Sequence, residues 1–368
     1  MDLAEIIKQR IAEEGPISFH DFMQMSLYYP ELGYYTNAAE KIGTKGDYYT
    51  SPAFTSVFGE MVAKQVEEMW CLMDKNEFTV VEFGGGTGTL CKDILRQAKH
   101  NESFYDKLTY CIIEKNSSLL KANFNDTWMM NKVKWLNSLS EIPEVTGCIL
   151  SNELIDNFPV HRVAMEDILM EVYVDYQNEF IEILKPASAD LLKYFEELTV
   201  VLPKGFRTEI NLKAIEWIKE VANTLKSGFV ITIDYGFPSS ELYMDQRRDG
   251  TLMCYYRHTI NDDPYSSIGR QDITAHVNFS ALCRWGIKNG LACSGYTDQF
   301  YFLHALGIAN HLREMEKNNK VNVEEHQRQL FLIHTLLMDL GRKLKVLIQQ
   351  KGVPAQPLTG LSFSQPVV

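Results

Sequence analysis

The spacing of hydrophobic residues changes several times along the 368-residue chain, and each spacing predicts a type of element. Apolar residues recur at helical spacing over 1–15, and Ser18 is placed to cap a second helix behind them. The tyrosine-rich stretch 28–52 has no period, so we expect an ordered loop there. A third helical pattern covers 54–73, and from residue 78 onward short apolar runs alternate with helical patterns.

This alternation predicts a parallel, doubly wound α/β sheet that binds ligands at the carboxyl ends of its strands. The predicted core strands cover 79–81, 108–114, 132–136, 147–152 and 228–234. The runs 291–297 and 299–303 are predicted to close the sheet as an antiparallel pair, and the region 304–350 to be helical. Further helices are predicted over 117–124, 189–198, 211–225 and 279–289.

Two stretches interrupt the alternation and separate a core from its additions. Residues 160–226 are predicted to form a hairpin of 160–175 with 179–184, followed by helices. The predicted organisation is an N-terminal helical and loop region over the ligand site, a core in two parts, two insertions, C-terminal helices and a flexible tail. These units cover 1–75, then 76–159 with 227–305, then 160–226, 236–277, 306–350 and 351–368.

Composition narrows the class of protein. A hydrophobic content of 45% fits one large core or two modest ones, and a formal charge of −12 argues against a nucleic-acid partner. The chain has no apolar run of the roughly 18 residues that a membrane span needs, and its charged N-terminus is unlike a secretory or transit peptide. Seven cysteines without a CxxC pair indicate reduced thiols in a cytosolic protein, and nine histidines without HExxH make zinc improbable.

The segment 79–90 carries the strongest chemical signal. Its β-branched run stops at the glycine turn 84–88, and helical spacing resumes near Thr89. A strand, a glycine turn and a helix N-terminus offer backbone N–H groups to a ligand. Glycines stand at the first, third and fifth positions, whereas the dinucleotide fingerprint needs the first, third and sixth, and no P-loop sequence follows. Glu82 with these glycines is similar to the first motif of S-adenosylmethionine-dependent methyltransferases, and a turn without a ligand is the alternative.

Polar residues also follow the next two predicted strands. Glu114 can accept two hydrogen bonds from vicinal ribose hydroxyls, or it is an exposed loop carboxylate beside Lys115. The turn 135–138 offers an apolar side chain and a polar contact to an adenine ring. Packing of Trp135 and Leu136 in the core explains the same residues equally well.

The segment 151–159 follows the fourth core strand, where this fold places the methyl group that is transferred. Glu153 and Asp156 are three positions apart, so one helical turn would project both carboxylates on one face. Two carboxylates suit a cationic acceptor such as a guanidinium, which a bidentate carboxylate can hold in plane. Capping of the next helix and charge balance for the cofactor are the competing roles.

Two later segments add candidates. Asp234 and Tyr235 end the fifth core strand, again at the ligand edge of the sheet. Asp272 and His276 lie together before a helix. Asp272 can be a helix cap, and His276 can be a base, a hydrogen-bonded structural residue or a gate over the pocket.

Together these segments resemble the MidA-like family of S-adenosylmethionine-dependent methyltransferases, whose mitochondrial members assist assembly of respiratory complex I. The matching segments are Tyr28–Tyr35, Gly43–Pro52, Phe58–Glu60, Val80–Leu90, Ser151–Val160, Ile233–Gly236, Gly250–Leu252 and Asp272–Phe279. The resemblance implies a seven-stranded class I methyltransferase fold, S-adenosyl-L-methionine as methyl donor and a protein arginine as acceptor. With it, the expected site has Glu153, Asp156 and His276 as catalytic residues, and its cofactor contacts are Thr50, Pro52, Glu82, Gly84, Gly85, Gly86, Thr87, Gly88, Thr89, Leu90, Glu114, Lys115, Leu136, Ser138 and Asn152.

The chain departs from the family at two positions. Ala53 and Asn278 stand where the family usually carries acids, which puts the identity of the acceptor in doubt, and the missing transit sequence indicates a bacterial-type member. The sequence thus predicts a cytosolic methyltransferase acting on an arginine-bearing protein, without metal, nucleic acid or membrane span, and leaves a homodimer open. A small-molecule N- or O-methyltransferase and a non-catalytic assembly factor with the same fold are the rival interpretations.

Overall fold

The computed structural model of the chain describes residues 2–37, 41, 50–114, 129, 131–317 and 323–367. In chain order its strands are β1 (Ile17–Ser18), β2 (Phe78–Phe83), β3 (Leu108–Ile113), β4 (Val133–Leu136), β5 (Val145–Asn152), β6 (His161–Met165), β7 (Leu169–Tyr176), β8 (Phe180–Pro186), β9 (Arg207–Ile210), β10 (Leu225–Phe237), β11 (Met253–Tyr256), β12 (Thr259–Asn261), β13 (Asp272–Thr274), β14 (Val277–Asn278), β15 (Ala292–Asp298) and β16 (Leu344–Lys351). Its helices are α1 (Leu3–Glu14), α2 (Phe19–Tyr28), α3 (Ser51–Phe54), α4 (Ser56–Leu72), α5 (Thr89–Ala98), α6 (Glu102–Lys107), α7 (Ala189–Leu198), α8 (Leu212–Thr224), α9 (Ser239–Leu242), α10 (Phe279–Lys288), α11 (Gln299–Ala305), α12 (Ile308–Lys317) and α13 (Val323–Thr335). Single 3₁₀ turns cover Leu139–Glu141, Asp245–Arg247 and Thr359–Leu361, and a π-helical turn covers Leu336–Leu340.

The central sheet has the spatial strand order β15-β16-β10-β5-β2-β3-β4, and β14 adds a short pairing to the end of β10. The pairs of neighbours from β10 to β4 are all parallel, whereas β16 is antiparallel to both β10 and β15. Six strands of this sheet therefore run in one direction and β16, next to the edge, is reversed, which is the arrangement of a seven-stranded class I methyltransferase sheet. The carboxyl ends of β2, β3, β4, β5 and β10 therefore meet at one edge of the sheet.

The antiparallel closure comes from a different part of the chain than the sequence pattern predicts. The run 299–303, predicted as a strand, lies in helix α11, and the reversed strand is β16, inside the region 304–350 that was predicted to be helical. All residues of β16 except Lys351 are buried, including Gln349 and Gln350. The side-chain Nε2 of Gln350 donates to the backbone carbonyl of Val353 (3.2 Å). The segment Leu344–Lys351 thus forms a strand because it is buried between β10 and β15, although its composition is also compatible with a helix.

The first insertion forms a second sheet with the order β1-β7-β6-β9, in which β8 pairs with the other side of β7. The predicted strand 160–175 is two strands, β6 and β7, because residues 166–168 turn between them. The predicted pairing across Tyr176–Asn178 is confirmed by β7 and β8. Strand β9 and the three-stranded sheet of β11, β12 and β13 in the second insertion have no counterpart in the sequence prediction.

Hydrophobic layers cover both faces of the central sheet. On one face Phe58 and Trp70 of α4 pack with the α5 residues and Phe302, and on the other face Trp217 and Phe279 pack from α8 and α10. Gly59 lets α4 approach α5 closely, because a Cβ atom there would lie 2.5 Å from the Cβ of Asp93. This packing fixes the helix that follows the glycine turn.

Two predicted segments remain to be placed. The segment after Gly352, predicted to be a flexible tail, packs on the core: Leu358 and Leu361 are buried, and the amide of Gln365 donates to the carbonyl of Tyr296 (2.7 Å). The predicted helix 117–124 lies outside the described residues. Within the described ranges, no helix has the length and apolar character that a membrane crossing requires. The thiols of all seven cysteines are free.

Candidate active site

The glycine turn lies between β2 and α5, as predicted. The amide of Gly84 donates to the carbonyl of Ile113 (3.0 Å), which continues the pairing of β2 with β3 for one residue. Gly84, Gly86 and Gly88 have φ angles of 68°, 52° and 76°, a region that favours glycine because it has no Cβ. The turn therefore curls its backbone amides around the space at the end of β2.

Two of these glycines also have packing roles. A Cβ at Gly84 would lie 2.8 Å from Cδ1 of Leu154, and one at Gly85 would lie 2.5 Å from Cγ2 of Ile112. Thr87 and Thr89, whose hydroxyl oxygens are 2.8 Å apart, and the buried Leu90 complete the turn and begin the helix.

Glu82 lies below the turn, inside the sheet. Its side chain is 3% exposed and accepts a hydrogen bond from the hydroxyl of Tyr110 (2.7 Å). Burial, with a contribution from the negative charge of Glu114, raises the pKa of Glu82 to about 7. Its hydrogen-bond partner among the described residues is thus Tyr110 on the neighbouring strand β3, and the carboxyl group stabilises the glycine turn from inside the sheet.

Glu114 joins the glycine turn to the third strand. Its Oε2 accepts a hydrogen bond from the amide of Gly86 (3.4 Å), and its own amide donates to the carbonyl of Leu136 (3.1 Å). Ser138 begins the 3₁₀ turn that follows, in a reciprocal capping arrangement with Glu141. The predicted ribose and adenine segments therefore lie side by side beyond the glycine turn, whereas Lys115 lies outside the described residues.

Glu153 follows β5 in an unusual backbone conformation. Its φ of 50° is in the left-handed region, and its amide donates to the carbonyl of Ile233 (2.8 Å). Its Oε1 accepts hydrogen bonds from the amide of Ser51 (2.8 Å) and from Nδ2 of Asn152 (3.2 Å). Burial raises the pKa of Glu153 to about 7, although the bond from Ser51 opposes the rise.

The bond from Ser51 brings the segment predicted to cover the site onto Glu153. Thr50 is the N-cap residue of α3, and Pro52 lies buried in its first turn. The hydroxyl of Ser51 also donates to Oε1 of Gln299 (3.3 Å), so this segment is held from two sides.

The predicted helical turn over 153–156 does not form. Asp234, at the end of β10, accepts hydrogen bonds on Oδ2 from the amides of Leu154 (3.1 Å) and Ile155 (2.8 Å), and these bonds stabilise an irregular loop instead. Glu153 and Asp156 nevertheless lie near each other, and the negative charge of Glu153 contributes to the raised pKa of Asp156.

Four carboxyl groups therefore gather at this edge of the sheet: Glu153, Asp156, Asp234 and Asp272. Burial, and then the charges of Asp234, Asp272 and Glu153, raise the pKa of Asp156, which is 7% exposed. Burial raises the pKa of the fully buried Asp234 to about 7. No ammonium or guanidinium group is among the causes that shift either pKa. Among the described residues, no three His, Cys, Asp or Glu side chains are arranged to hold a metal ion.

Tyrosines surround these carboxyl groups, and of these only Tyr235 was a candidate from the sequence. The hydroxyl of Tyr35 donates to the carboxylate of Asp272 (2.8 Å to each oxygen), and Tyr28 stacks on Tyr35 with 5.5 Å between ring centroids. The negative charges of Glu153 and Asp156 help to raise the pKa values of Tyr235 and Tyr255, for which burial is the largest cause. The sequence sign of this arrangement is that tyrosines recur in two segments that lie far apart along the chain.

His276 lies in different surroundings. Its backbone amide donates to the hydroxyl of Thr251 (3.0 Å), and its ring packs edge-on against Phe237 with 5.3 Å between centroids. Burial, followed by the positive charges of Arg247 and Lys345, lowers its pKa to about 4. The imidazole is therefore neutral at physiological pH, and its charged neighbours are cations.

The geometry fits an S-adenosylmethionine cofactor. The glycine turn leaves the backbone accessible to an amino-acid tail, and Glu114 is adjacent to it for a ribose. In addition, Oδ1 of Asn152 is buried and has no hydrogen-bond partner among the described residues, so an acceptor is available for the ammonium group of the tail. The sheet order and this site define a class I S-adenosylmethionine-dependent methyltransferase.

Comparison with known proteins agrees. The model of a family of S-adenosyl-L-methionine-dependent methyltransferases matches residues 61–297, and the chain belongs to this family, as its resemblance predicted. A Burkholderia thailandensis protein solved with bound S-adenosyl-homocysteine superposes with a TM-score of 0.89 at 29% identity, over 99% of this chain and 95% of that one. A Caenorhabditis elegans relative, named protein arginine methyltransferase NDUFAF7 homolog, mitochondrial, is 27% identical over 96% of this chain and 89% of its own length. The mouse protein arginine methyltransferase NDUFAF7, mitochondrial, is 27% identical over 90% and 79%.

Proposed function

We propose that this methyltransferase transfers a methyl group to an arginine side chain of a protein. The observation that carries the proposal is the cluster of four carboxyl groups and four tyrosines at the end of β5 and β10, where methyl transfer occurs in this fold. Among the described residues, no cation is a cause of the pKa shifts of Glu153, Asp156 and Asp234; buried acids in such surroundings are costly in the free protein, so a bound cation would stabilise the cluster. The names of the relatives as arginine methyltransferases point in the same direction.

The acids divide into two groups by their present partners. Asp234 binds backbone amides of the 153–156 loop, and Asp272 is bound by Tyr35, so both position other parts of the site. Glu153 accepts from the amide of Ser51 and the side chain of Asn152, and Asp156 accepts from the backbone amide of Asn157 as its one hydrogen-bond partner within the described ranges. Glu153 and Asp156 are thus the acids with capacity to hold a guanidinium group.

Glu153 and Asp156 would orient the guanidinium group and draw its positive charge toward themselves. A planar group held by two hydrogen bonds presents one nitrogen in line with the transferred methyl group, and orientation of this kind lowers the barrier. Faces of neighbouring tyrosines would add cation–π attraction and exclude water. S-adenosylmethionine, when bound, supplies an electrophilic methyl group on a sulfonium.

The same acids can take the proton that methylation releases. Methylation replaces one N–H proton of the guanidinium group with the methyl group of the sulfonium, so the product stays a cation, the sulfonium becomes a neutral thioether and one proton is released. Glu153 would ionise when the cationic acceptor binds, because an adjacent positive charge lowers a carboxyl pKa. The resulting carboxylate would lie beside the reacting nitrogen, where it is a suitable acceptor for the released proton.

The cofactor contacts follow from the placement of the glycine turn. Residues 84–89 would hold the amino-acid tail, Glu114 the ribose hydroxyls, and the 136–138 segment the adenine ring. Asn152 would accept from the ammonium group, and Thr50 with Pro52 would cover the donor from the α3 side. The predicted cytosolic location and the homodimer stay predictions.

The test is a search for the lost methyl mark. Lysate from a strain that lacks the gene is incubated with wild-type enzyme and isotopically labelled S-adenosylmethionine, and labelled proteins are digested and sequenced by mass spectrometry. We expect label on arginine, and at least tenfold slower labelling with Glu153→Gln, while the exposed control Glu166→Gln transfers normally. Label confined to small molecules would contradict the proposal, and so would label on other side chains.

A further inference from the structure

The side chains at the edge of the sheet change from acidic to basic three residues beyond Asp234, around Phe237. Here the guanidinium of Arg247 lies over the ring of Phe237, 3.7 Å from its centroid, and His276 packs against the same ring. We call Arg247, Phe237 and His276 the basic subsite. All three side chains are partly buried, so the subsite is open at its outer side.

Arg247 provides the net charge of this subsite. Its guanidinium donates to the backbone carbonyl of Glu241 (2.8 Å), and no carboxylate lies within 4.0 Å of it among the residues that the structure describes. Lys345, the other nearby cation, is already paired with Asp298 (2.6 Å). An unpaired guanidinium fixed on an aromatic ring is well placed to bind a carboxylate.

His276 offers an unused hydrogen-bonding atom at the same place. Its Nδ1 is buried and lacks a partner within the described part of the chain. Its backbone is fixed by Thr251, whose amide and hydroxyl both donate to Glu209. The backbone of His276 is thus held in place and its ring packs on Phe237, so the unpaired Nδ1 is one hydrogen-bonding atom that a polar group entering beside Arg247 could use.

The separation from the carboxyl cluster matches the length of a peptide. Asp234 and Phe237 are on one extended strand, which rises about 3.3 Å per residue, so their Cα atoms are roughly 10 Å apart along β10. That distance corresponds to about three residues of an extended acceptor chain. A protein segment could therefore place an arginine in one site and an acid in the other.

We propose that the basic subsite binds a carboxylate of the acceptor protein, so that the methylated arginine has an Asp or Glu within about four residues of it. This inference rests on the proposed function and adds a rule for choosing the acceptor. An enzyme with a charge of −12 would otherwise repel acidic segments, so a local cation is needed to admit one.

The experiment uses a peptide library with one fixed arginine and four randomised positions on each side, from which Lys and other Arg are omitted. Wild-type enzyme, Arg247→Gln and Arg248→Gln are each supplied with labelled S-adenosylmethionine, and the methylated fraction is sequenced. Arg248 is a matched control, because it is the adjacent, exposed arginine and lies near Gly205. Equal cofactor affinity in the three proteins verifies that each is folded.

We expect at least fivefold enrichment of Asp or Glu at one flanking position with wild type and Arg248→Gln, and none with Arg247→Gln. A matched pair of peptides, Glu against Gln at that position, should then differ at least tenfold in KM for wild type and less than twofold for Arg247→Gln. Methylated arginines without acidic enrichment, or enrichment that survives Arg247→Gln, would overturn the subsite and leave the proposed function intact. If wild type methylates no arginine in the library or in lysate, the proposed function fails and this inference fails with it.

Discussion

Glu153→Gln should make the free protein more stable at neutral pH while it lowers methyltransferase activity. Gln has nearly the same shape, and its carbonyl oxygen can still accept the bonds from Ser51 and Asn152. The substitution removes only the ionisable proton. No cation is among the causes that shift the pKa of Glu153, Asp156 or Asp234 within the described part of the chain, so the loss of one charge relieves a cost that function requires.

The magnitude follows from the pKa. Raising the pKa of Glu153 from 4.5 to about 7 means that its ionisation costs the folded protein at most about 3 kcal/mol. The folded state binds more protons than the unfolded state between those two values, so this group lowers stability as pH rises through pH 4.5 to 7. The stability difference between Glu153→Gln and wild type should be near zero at pH 4.5 and reach its full value above pH 7.

The assay is urea unfolding of the cofactor-free proteins at pH 4.5, 6 and 8, compared with methyl transfer to the acceptor. Loss of a hydrogen bond to a charged group, worth roughly 1.5–3 kcal/mol, predicts a fall in kcat/KM of roughly 10- to 150-fold. Glu166→Gln on the exposed turn serves as the control and should change neither quantity. A variant that is less stable than wild type at pH 8, or one that methylates normally, would refute the electrostatic account of the site.

Three further predictions concern other parts of the site and its support. Gly86→Val should abolish cofactor binding measured by calorimetry, because a β-branched residue resists the φ of 52° at this position. The control Gly15→Val is equally strained, at a φ of 82°, but is distant from the glycine turn and should keep normal affinity. Cofactor binding by Gly86→Val would contradict the placement of the amino-acid tail. Gly59→Ala should lower the free energy of unfolding by about 1–3 kcal/mol, because the new Cβ would lie 2.5 Å from the Cβ of Asp93. Alanine usually stabilises a helix relative to glycine, so a stabilised variant would show that α4 can move away from α5. The imidazole of His276 should stay neutral down to about pH 5 because its pKa is about 4, and an NMR titration with a midpoint above pH 6 would show that the ring is not buried beside cations.

Local sequence signals predicted the half of the site that depends on a single segment. The strand, the glycine turn and the start of α5 are adjacent in the chain, and their positive φ angles follow from three glycines. Glu114 could be placed because it ends the next parallel strand. In such cases the residues carry their own conformational preference, and no distant contact is needed to interpret them.

Distant contacts decided the rest. No residue near 153–156 indicates that Asp234 accepts hydrogen bonds from the amides of Leu154 and Ile155, which prevents a helical turn there. The partnership of Tyr35 with Asp272 joins residues more than 200 positions apart, so no local pattern could reveal it. Strand β16 was missed for the same reason, since its buried glutamines favour a strand only between two existing strands.

The position of β16 affects how the protein is made. Because it fits between β10 and β15, the ribosome must translate past Lys351 before the gap in the sheet can close. At roughly 5–20 residues per second, the nascent chain waits about 3–10 s with two open strand edges and their apolar residues exposed. A stop codon placed before Leu344 would make that state permanent, and we expect the truncated product to be captured by chaperones or lost to inclusion bodies.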